Sequence, residues 1–191
     1  MNLEDLSGRA ETHRPWAKRA VWTLLLLGLL AFLLRGALRP ADPVLAEAGA
    51  SGLTPPAGFE EIAFEIRAAD GTVLDWCALL AATEEARQQG LMGQDDLLGY
   101  DGMVFRFDAP VAAAFYMYKT LIPLSVAFFD ETGAFVSAAD MEPCPAEEPG
   151  DCPTYPAARP IVHALEVLKG GLGERGIGRG TTLSLVEGDC R

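Results

Sequence analysis

The 191-residue chain is 50% hydrophobic, 8% aromatic and 22% charged, a composition that excludes disorder. Its length allows one globular domain plus a tail but not two large domains. The net charge of −12 is uneven, because residues 1–46 carry six basic against four acidic side chains and residues 47–191 carry nine against 23. Such an acidic domain repels phosphate backbones, so the sequence predicts no nucleic-acid partner.

A basic segment comes first and is followed by an apolar run. Residues 1–19 hold four Lys and Arg side chains, and residues 20–38 are uncharged except for Arg35. Nineteen residues span about 28 Å as an α-helix, close to the hydrocarbon thickness of a bilayer. The sequence therefore predicts a single transmembrane helix at 20–38 in the cell membrane. The basic residues before it predict a cytoplasmic tail at 1–19 and an extracytoplasmic position for the rest.

A cleaved signal peptide is the alternative interpretation, and it would make the protein secreted. Small residues at 44–46 could form the cleavage site. That site lies about a dozen residues beyond the apolar run, and Arg35, Arg39 and two prolines interrupt the short segment that normally precedes cleavage. These features favour a retained anchor. A buried globular helix fits less well, because the run has no polar face.

Residues 39–58 are rich in Pro, Ala and Gly and have no apolar period, so they indicate a linker between the membrane and the domain. The domain itself is predicted at residues 59–188. A hairpin is expected first, from two alternating segments, 61–68 and 72–80, joined at Asp70-Gly71.

A short helix is predicted next at Thr83–Gly90, with a hydroxyl cap, two acids in its first turn and a terminal glycine. A turn at 130–133 places Gly133 where positive φ is favoured and joins a second hairpin. Further strands are predicted at 103–108, 113–118, 124–129, 134–139, 161–168 and 181–186. The expected fold is mainly β: a compact barrel or sandwich of seven to eight short antiparallel strands with one short helix.

The four cysteines indicate disulfide bonds if the domain is exported. Cys144 and Cys152 enclose a stiff acidic loop and are predicted to form a bridge; in the cytosol they would be free structural thiols. Cys77 and Cys190 could also pair, but the sequence leaves that pairing open. The spacing is not Cys-x-x-Cys, which disfavours a redox role.

Several short motifs keep a fixed order and spacing. They are Gly90-Leu91-Met92, Gly102-Met103-Val104-Phe105, Met117 with Thr120-Leu121-Ile122-Pro123-Leu124, Ala164-Leu165-Glu166 and Ile177-Gly178-Arg179-Gly180. Together they resemble the domain of unknown function 192 family over residues 59–186. The resemblance implies a compact, mainly β domain of bacteria or archaea, often exported and without an agreed activity.

The chain departs from that family at four positions. Gly93 and Gln94 stand where the family often has a large residue and an Arg. Lys119 and Ser125 stand where it often has Asn and Asp. A family function that needs the Arg, Asn or Asp is therefore not carried over to this chain.

The sequence offers Met117, Lys119, Thr120 and Glu166 as candidate residues of a ligand site. Glu166 is out of phase with the apolar residues on either side of it. A carboxylate near an amine could bind a zwitterion or act in acid/base chemistry. In the alternative interpretation, Glu166 binds turn amides or a cation of the chain, and the methionines only fill the core.

The remaining motifs do not indicate catalysis, a metal or a cofactor. The domain has one histidine, His163, which is too few for a zinc site beside oxidised cysteines and fits a core or rim position better than a triad. The glycine pattern at 171–176 lacks room for the helix and strand of a dinucleotide site. No catalytic residue, cofactor or metal is therefore predicted.

The sequence thus predicts a membrane-anchored extracytoplasmic domain that acts as a non-catalytic binding or accessory module of the cell envelope. One alternative is an envelope enzyme of undefined class that uses Lys119, Glu166 and His163. The other is a structural component of the envelope. The ligand or envelope partner is not specified by the sequence.

Overall fold

The structure, a computed structural model, describes residues 52–186 and 190, which form nine short strands, two short α-helices and one 3₁₀ helix (Pro149–Asp151). The predicted cytoplasmic tail at 1–19, the predicted transmembrane segment at 20–38 and most of the predicted linker lie outside these residues. Within them, no helix has both the length and the apolar character needed to cross a bilayer.

The first two strands form the predicted hairpin. Strands β1 (Glu60–Arg67) and β2 (Val73–Ala81) pair antiparallel in continuous register. Alternation along β1 buries Phe64 and Ile66, as the sequence pattern predicted. The turn is closed by Asp70, whose carboxylate accepts a hydrogen bond of 2.8 Å from the backbone N–H of Thr72.

Helix α1 (Glu84–Gln89) also forms as predicted. It connects β2 to the next strand and lets that strand run parallel to β2. The hydroxyl of Thr83 accepts a hydrogen bond of 3.1 Å from the N–H of Ala86, and the helix ends at Gly90. Because this helix crosses over between β2 and β3 (Gly102–Val111), those two strands run parallel. The prediction of an all-antiparallel fold is therefore wrong at this pair, since alternation does not encode strand direction.

The remaining strands agree with the predicted segments except for one additional short strand. The prediction of seven to eight strands missed β7 (Thr154–Pro156), which is only three residues long. The prediction of one short helix missed α2 (Gly171–Glu174), which is only four residues long. Segments this short have no readable period. The other strands are β4 (Ala114–Tyr116), β5 (Leu124–Phe129), β6 (Phe135–Met141), β7 (Thr154–Pro156), β8 (Ile161–Leu168) and β9 (Thr182–Val186).

Seven strands form one mixed sheet in the order β6-β5-β8-β3-β2-β1-β9, and β4 pairs with β7 in a separate two-stranded sheet. The described residues form no closed barrel, so the barrel alternative of the prediction is wrong. The edges of the large sheet approach each other at an isolated bridge between Ala134 and Thr182. Gly133 permits this approach: its φ is 76°, and a Cβ there would lie 2.2 Å from the carbonyl oxygen of Leu183.

Two hydrophobic cores pack on the sheet. The α1-side core contains Leu79, Ala81, Ala86, Leu91, Leu97, Tyr100, Met103, Phe105, Met117, Leu124, Val126, Phe128, Met141, Cys144, Cys152, Ile161 and Ala164. The α2-side core contains Phe64, Ile66, Ala78, Leu80, Val104, Ala127, Phe129, Leu165, Val167, Leu172, Ile177 and Leu183. Strand β8, in the middle of the sheet, contributes residues to both cores.

Both pairs of cysteines form disulfide bonds. Cys144 and Cys152 are bridged as predicted, across a sequence separation of 8. Cys77 and Cys190, whose pairing the sequence left open, are also bridged, across a separation of 113. The second bridge ties the end of the described chain to β2, next to the start of the domain.

Candidate ligand-binding pocket

A pocket of about 340 Å³ lies between α1, the part of β3 from Phe105 to Val111 and the segment around β4. This volume is at the lower end of the range of sites that hold small organic ligands. Apolar and aromatic side chains outnumber polar ones in its lining. The lining residues are Glu84, Arg87, Gln88, Gln89, Gly90, Leu91, Met92, Phe105, Phe107, Val111, Ala112, Ala113, Ala114, Phe115, Tyr116, Thr120 and Glu166.

Aromatic rings that pack on one another form one wall of the pocket. The rings of Phe105 and Phe115 meet edge to face, with 4.9 Å between their centroids. The ring of Phe115 also contacts that of Phe128 in the core, at 5.5 Å. Such edge contacts hold the rings in place, so this wall is rigid and presents ring surface to the pocket.

A positive charge lies at the rim, on the last turn of α1. Nη1 of Arg87 donates hydrogen bonds to the carbonyl oxygens of Ala82 and Arg106, the latter at 2.9 Å. Its guanidinium carbon lies 5.0 Å from the centre of the Phe107 ring. The Arg87 side chain is thus held by two backbone carbonyl groups and by the Phe107 ring, and these contacts link α1 to β3.

Glu166 is the one acidic side chain of the buried residues, and it comes from the middle of β8. Its register partners on the two neighbouring strands are Met103 and Val126, both apolar and fully buried. The side chain is 4% exposed and lines the pocket. The strand period places it on the α1 side, opposite to Leu165 and Val167, which explains why it was out of phase in the sequence.

The carboxyl group of Glu166 has no partner among the described residues, neither a hydrogen bond nor an ion pair. Desolvation by burial raises the pKa of Glu166 to about 8 from an ordinary value of 4.5. The group therefore carries a proton over most of the neutral pH range. A buried carboxyl without a partner is costly for stability, which makes it a strong indicator of a functional site.

The backbone of Glu166 is held in place by a close approach of β3. A Cβ at Gly102 would lie 2.4 Å from the carbonyl oxygen of Glu166. Only glycine therefore permits this strand spacing, and Gly102 belongs to one of the motifs that carried the family resemblance.

Thr120 lies at the pocket together with Glu166, as the sequence grouped them. Its hydroxyl is 3.5 Å from the carbonyl oxygen of Tyr118, a long contact that leaves the group free to bind a ligand. Thr120 bridges to Met92, and Lys119 accepts a hydrogen bond of 2.9 Å from Gly93 through its carbonyl oxygen. These contacts join the two motifs around one corner of the pocket.

Other residues that the sequence proposed for a site lie elsewhere. Met117 is 1% exposed and packs in the α1-side core, outside the pocket lining. The ammonium of Lys119 lies 4.9 Å from the centre of the Tyr118 ring, also outside the lining. His163 pairs with Arg106 and Phe129 on the opposite face of the sheet, where burial lowers its pKa, with a smaller contribution from Arg106. Of the residues proposed from sequence, Glu166 and Thr120 thus share the pocket.

A sequence model of the domain of unknown function 192 family (DUF192, Uncharacterized ACR) matches residues 66–185, more than half of the chain. The chain belongs to this family. The resemblance drawn from the short motifs is therefore confirmed, and the pocket lies inside the matched region. Among curated proteins, none matches the chain significantly.

Two crystal structures share the fold of this family member. A protein of unknown function from Novosphingobium aromaticivorans DSM 12444 has a TM-score of 0.61 at 27% identity, covering 73% of this chain and 94% of that one. A candidate transcription regulator from Sinorhizobium meliloti 1021 has a TM-score of 0.60 at 22% identity, covering 69% and 98%. At this low identity the second likeness shows a common fold alone.

The aromatic wall and Arg87 were not found from the sequence. The predicted strand at 103–108 contains Phe105 and Phe107 two residues apart, a spacing that puts both rings on one face of a strand. The missing information was that α1 and β4 pack against this face and leave space between them. Pairing of distant segments is a property of the topology, which the alternation of single strands does not specify.

Proposed function

We propose that this domain is a non-catalytic module that binds a small molecule at the cell envelope. The observation that carries the proposal is the unpartnered carboxyl of Glu166, 4% exposed, in a pocket with aromatic and apolar walls. Binding pockets typically combine a mostly apolar lining with a few polar groups that orient the ligand. Glu166 and the Thr120 hydroxyl have that role in the proposal.

The positions of the other candidate residues favour binding over catalysis. An enzyme that used Lys119, Glu166 and His163 would need them around one pocket. Lys119 lies outside the lining and His163 belongs to the opposite face of the sheet. Arg87, which does line the pocket, already holds two backbone carbonyls. The arrangement thus offers one acid, one hydroxyl and an apolar surface.

The envelope location is supported by two independent features. Both disulfide bonds in the described residues are typical of domains outside the reducing cytosol. The apolar run at 20–38, with more basic residues before it than after it, supports a single anchor with its amino terminus in the cytoplasm. In the proposal, this anchor holds the binding domain at the outer face of the cell membrane.

The binding function is tested by filling the pocket. Ala113 lines it and is half-buried, so Ala113→Phe places a ring in the space. Ala138→Phe is the matched control, because Ala138 is exposed on β6 and is not part of the lining. Full-length protein in lipid nanodiscs is screened against a fragment library by saturation-transfer NMR. The proposal expects fragments that bind the wild type and the control but not Ala113→Phe; equal binding to all three would contradict it.

The location is tested separately, in cells that express the full chain. The proposal expects the protein to stay with the membranes after an alkaline carbonate wash and to keep an amino terminus upstream of residue 38. Both disulfides are expected to be oxidised by mass spectrometry before reduction. A mature protein that begins beyond Leu38, or free thiols in the cytosolic fraction, would contradict the location and leave the pocket function standing.

A further inference from the structure

We infer that the pocket selects a small organic amine, whose ammonium group pairs with the Glu166 carboxylate while its apolar part packs on Phe105 and Phe115. This inference deepens the proposed function, on which it rests, because it assigns a chemical class to the ligand. It is carried by three features of the pocket: the acid without a partner, the aromatic wall and the distribution of charge around it.

The first feature is the acid that the pocket leaves without a partner. A buried carboxylate is stable only with a cation or several hydrogen-bond donors next to it. The described residues offer Glu166 neither, and its side chain is 4% exposed. A ligand with an ammonium group supplies both the charge and the N–H donors. An anionic ligand would instead place a second negative charge next to the Glu166 carboxylate, which is unfavourable in a buried site.

The second feature is the ring surface beside that acid. Ammonium ions are attracted to the faces of aromatic rings, by roughly 0.5 to 2 kcal/mol depending on exposure. The rings of Phe105 and Phe115 are locked together at 4.9 Å, and Tyr116 also lines the pocket. Glu166 and these rings line the same pocket, so a ligand can pair its ammonium with the carboxylate and contact the rings. The same rings bury the apolar part of the ligand.

The third feature is the arrangement of the other charged groups. Glu84 and Arg87 of α1 are the charged lining residues besides Glu166. Arg87 is fastened to two carbonyl oxygens and to the Phe107 ring at the rim, and Glu84 is exposed. The neighbours of Glu166 on β3 and β5 are apolar. Residues 47–191 carry a net charge of −14, from nine basic and 23 acidic side chains, which attracts cations towards the domain.

Binding of the amine has a defined proton balance. Burial raises the pKa of Glu166 to about 8, so the carboxyl is mostly protonated in the free protein at pH 7. The ammonium ion pairs with the ionised form, so the Glu166 proton passes to the buffer and no covalent bond other than that O–H changes. Uptake of an uncharged ligand of the same shape releases no proton.

The inference is tested by calorimetry on the full-length protein in nanodiscs, with empty nanodiscs subtracted. The probes are 2-phenylethylammonium, 2-phenylethanol and 3-phenylpropionate, which differ mainly in the charge of one end. We expect the amine to bind at least tenfold more tightly than the alcohol or the acid. We expect release of close to one proton per amine at pH 7, measured in buffers with different ionisation enthalpies.

Two variants assign the selectivity to one carboxyl. Glu166→Gln keeps the size of the side chain and should weaken amine binding at least tenfold, abolish the proton release and leave alcohol binding within twofold. Glu131→Gln makes the same change of charge at an exposed acid outside the lining and should change amine binding by less than twofold. Circular dichroism and the retained alcohol binding show that each variant is folded.

The outcomes separate this inference from the proposed function. If the alcohol or the acid binds as tightly as the amine, or if Glu166→Gln binds the amine unchanged, the amine assignment is overturned while the binding function stands. If no probe binds and no fragment binds in the pocket-filling experiment, the binding function itself fails.

Discussion

The two cores share strands β2, β3, β5 and β8 and differ in what β8 contributes to each side. On β8, Leu165 and Val167 enter the α2-side core. Glu166, between them in sequence, lies on the α1 side beside a pocket. On one face of β8, Leu165 and Val167 stabilise the fold by packing. On the other face, the buried acid Glu166 destabilises it. The proposed binding site therefore lies on the α1 side, where the pocket and the buried acid occur together.

The two sides also differ in their covalent links. Cys144 and Cys152 belong to the α1-side core, and Cys77 packs against it. The described α2-side core contains no cysteine. The side with the pocket therefore contains the Cys144–Cys152 bridge and contacts Cys77, whereas the other core has no cysteine among its described residues. This contrast predicts different responses to substitutions on the two sides.

The largest effect is expected from removing the longer disulfide bond. The Cys77→Ser, Cys190→Ser double variant should lose about 5 kcal/mol of unfolding free energy, because its loop spans a separation of 113. The Cys144→Ser, Cys152→Ser variant, with a separation of 8, should lose about 3 kcal/mol. Urea denaturation of the full chain measures both. Equal losses would show that chain entropy does not explain how these bridges stabilise the α1 side.

Truncation in the α2-side core should come next. Leu165 has no exposed surface, so Leu165→Ala should cost about 3 to 4 kcal/mol through lost burial and the cavity it leaves. Leu168→Ala on the same strand is the control, because Leu168 is 50% exposed and should cost less than about 0.5 kcal/mol. Both variants should bind 2-phenylethylammonium like the wild type. A loss of binding in folded Leu165→Ala would erase the functional distinction between the two sides.

The pH dependence of stability should separate Glu166 from every exposed acid. Its pKa is raised from 4.5 to about 8 on folding, so above pH 4.5 the unfolded chain binds fewer protons than the folded one. Stability from this group is therefore fully present below 4.5 and is lost as the pH rises towards 8. The wild type should lose about 3 kcal/mol between pH 5 and pH 7.5 relative to Glu166→Gln. Parallel profiles of the two proteins by urea denaturation would show that Glu166 is solvated or paired.

The smallest effect concerns the corner of the pocket at Lys119. Its φ of 54° is in the left-handed region, which Asn tolerates far better than Lys. Lys119→Asn should be more stable than Lys119→Gln by about 1 kcal/mol, since both lose the contact with the Tyr118 ring and only Asn suits the backbone. Thermal denaturation compares them. A Gln variant as stable as the Asn variant would mean that the family's Asn has a role other than backbone conformation.

Much of the fold was predictable because local patterns determine it. The bounds of β5 and β8 follow from their apolar and alternating segments, and the hydroxyl cap and terminal glycine located α1. Glu166 was recognised as unusual because it is an acid that interrupts the apolar pattern of a predicted strand. In the structure it is buried on an interior strand of the sheet. The Cys144–Cys152 bridge followed from the short loop between the two residues.

The pocket was not predictable, because it is created by contacts between distant segments. The parallel pairing of β2 with β3 brings α1 over Phe105, and the pairing of β4 with β7 brings Phe115 against the same ring. Neither pairing has a signal within its own strands. Lys119 was grouped with Glu166 as an amine that could act with that carboxylate, but its ammonium lies against the Tyr118 ring, and its backbone is left-handed.

The central claim is that Glu166 is a desolvated acid in the free protein and pairs with a cationic ligand. Carbon-13 NMR of its carboxyl group tests this claim most directly. The resonance is assigned in the full-length protein by its absence from Glu166→Gln. The account predicts a titration midpoint near 8 in the free protein and a shift to lower pH when 2-phenylethylammonium is added. A midpoint near 4.5, unchanged by the amine, would contradict it.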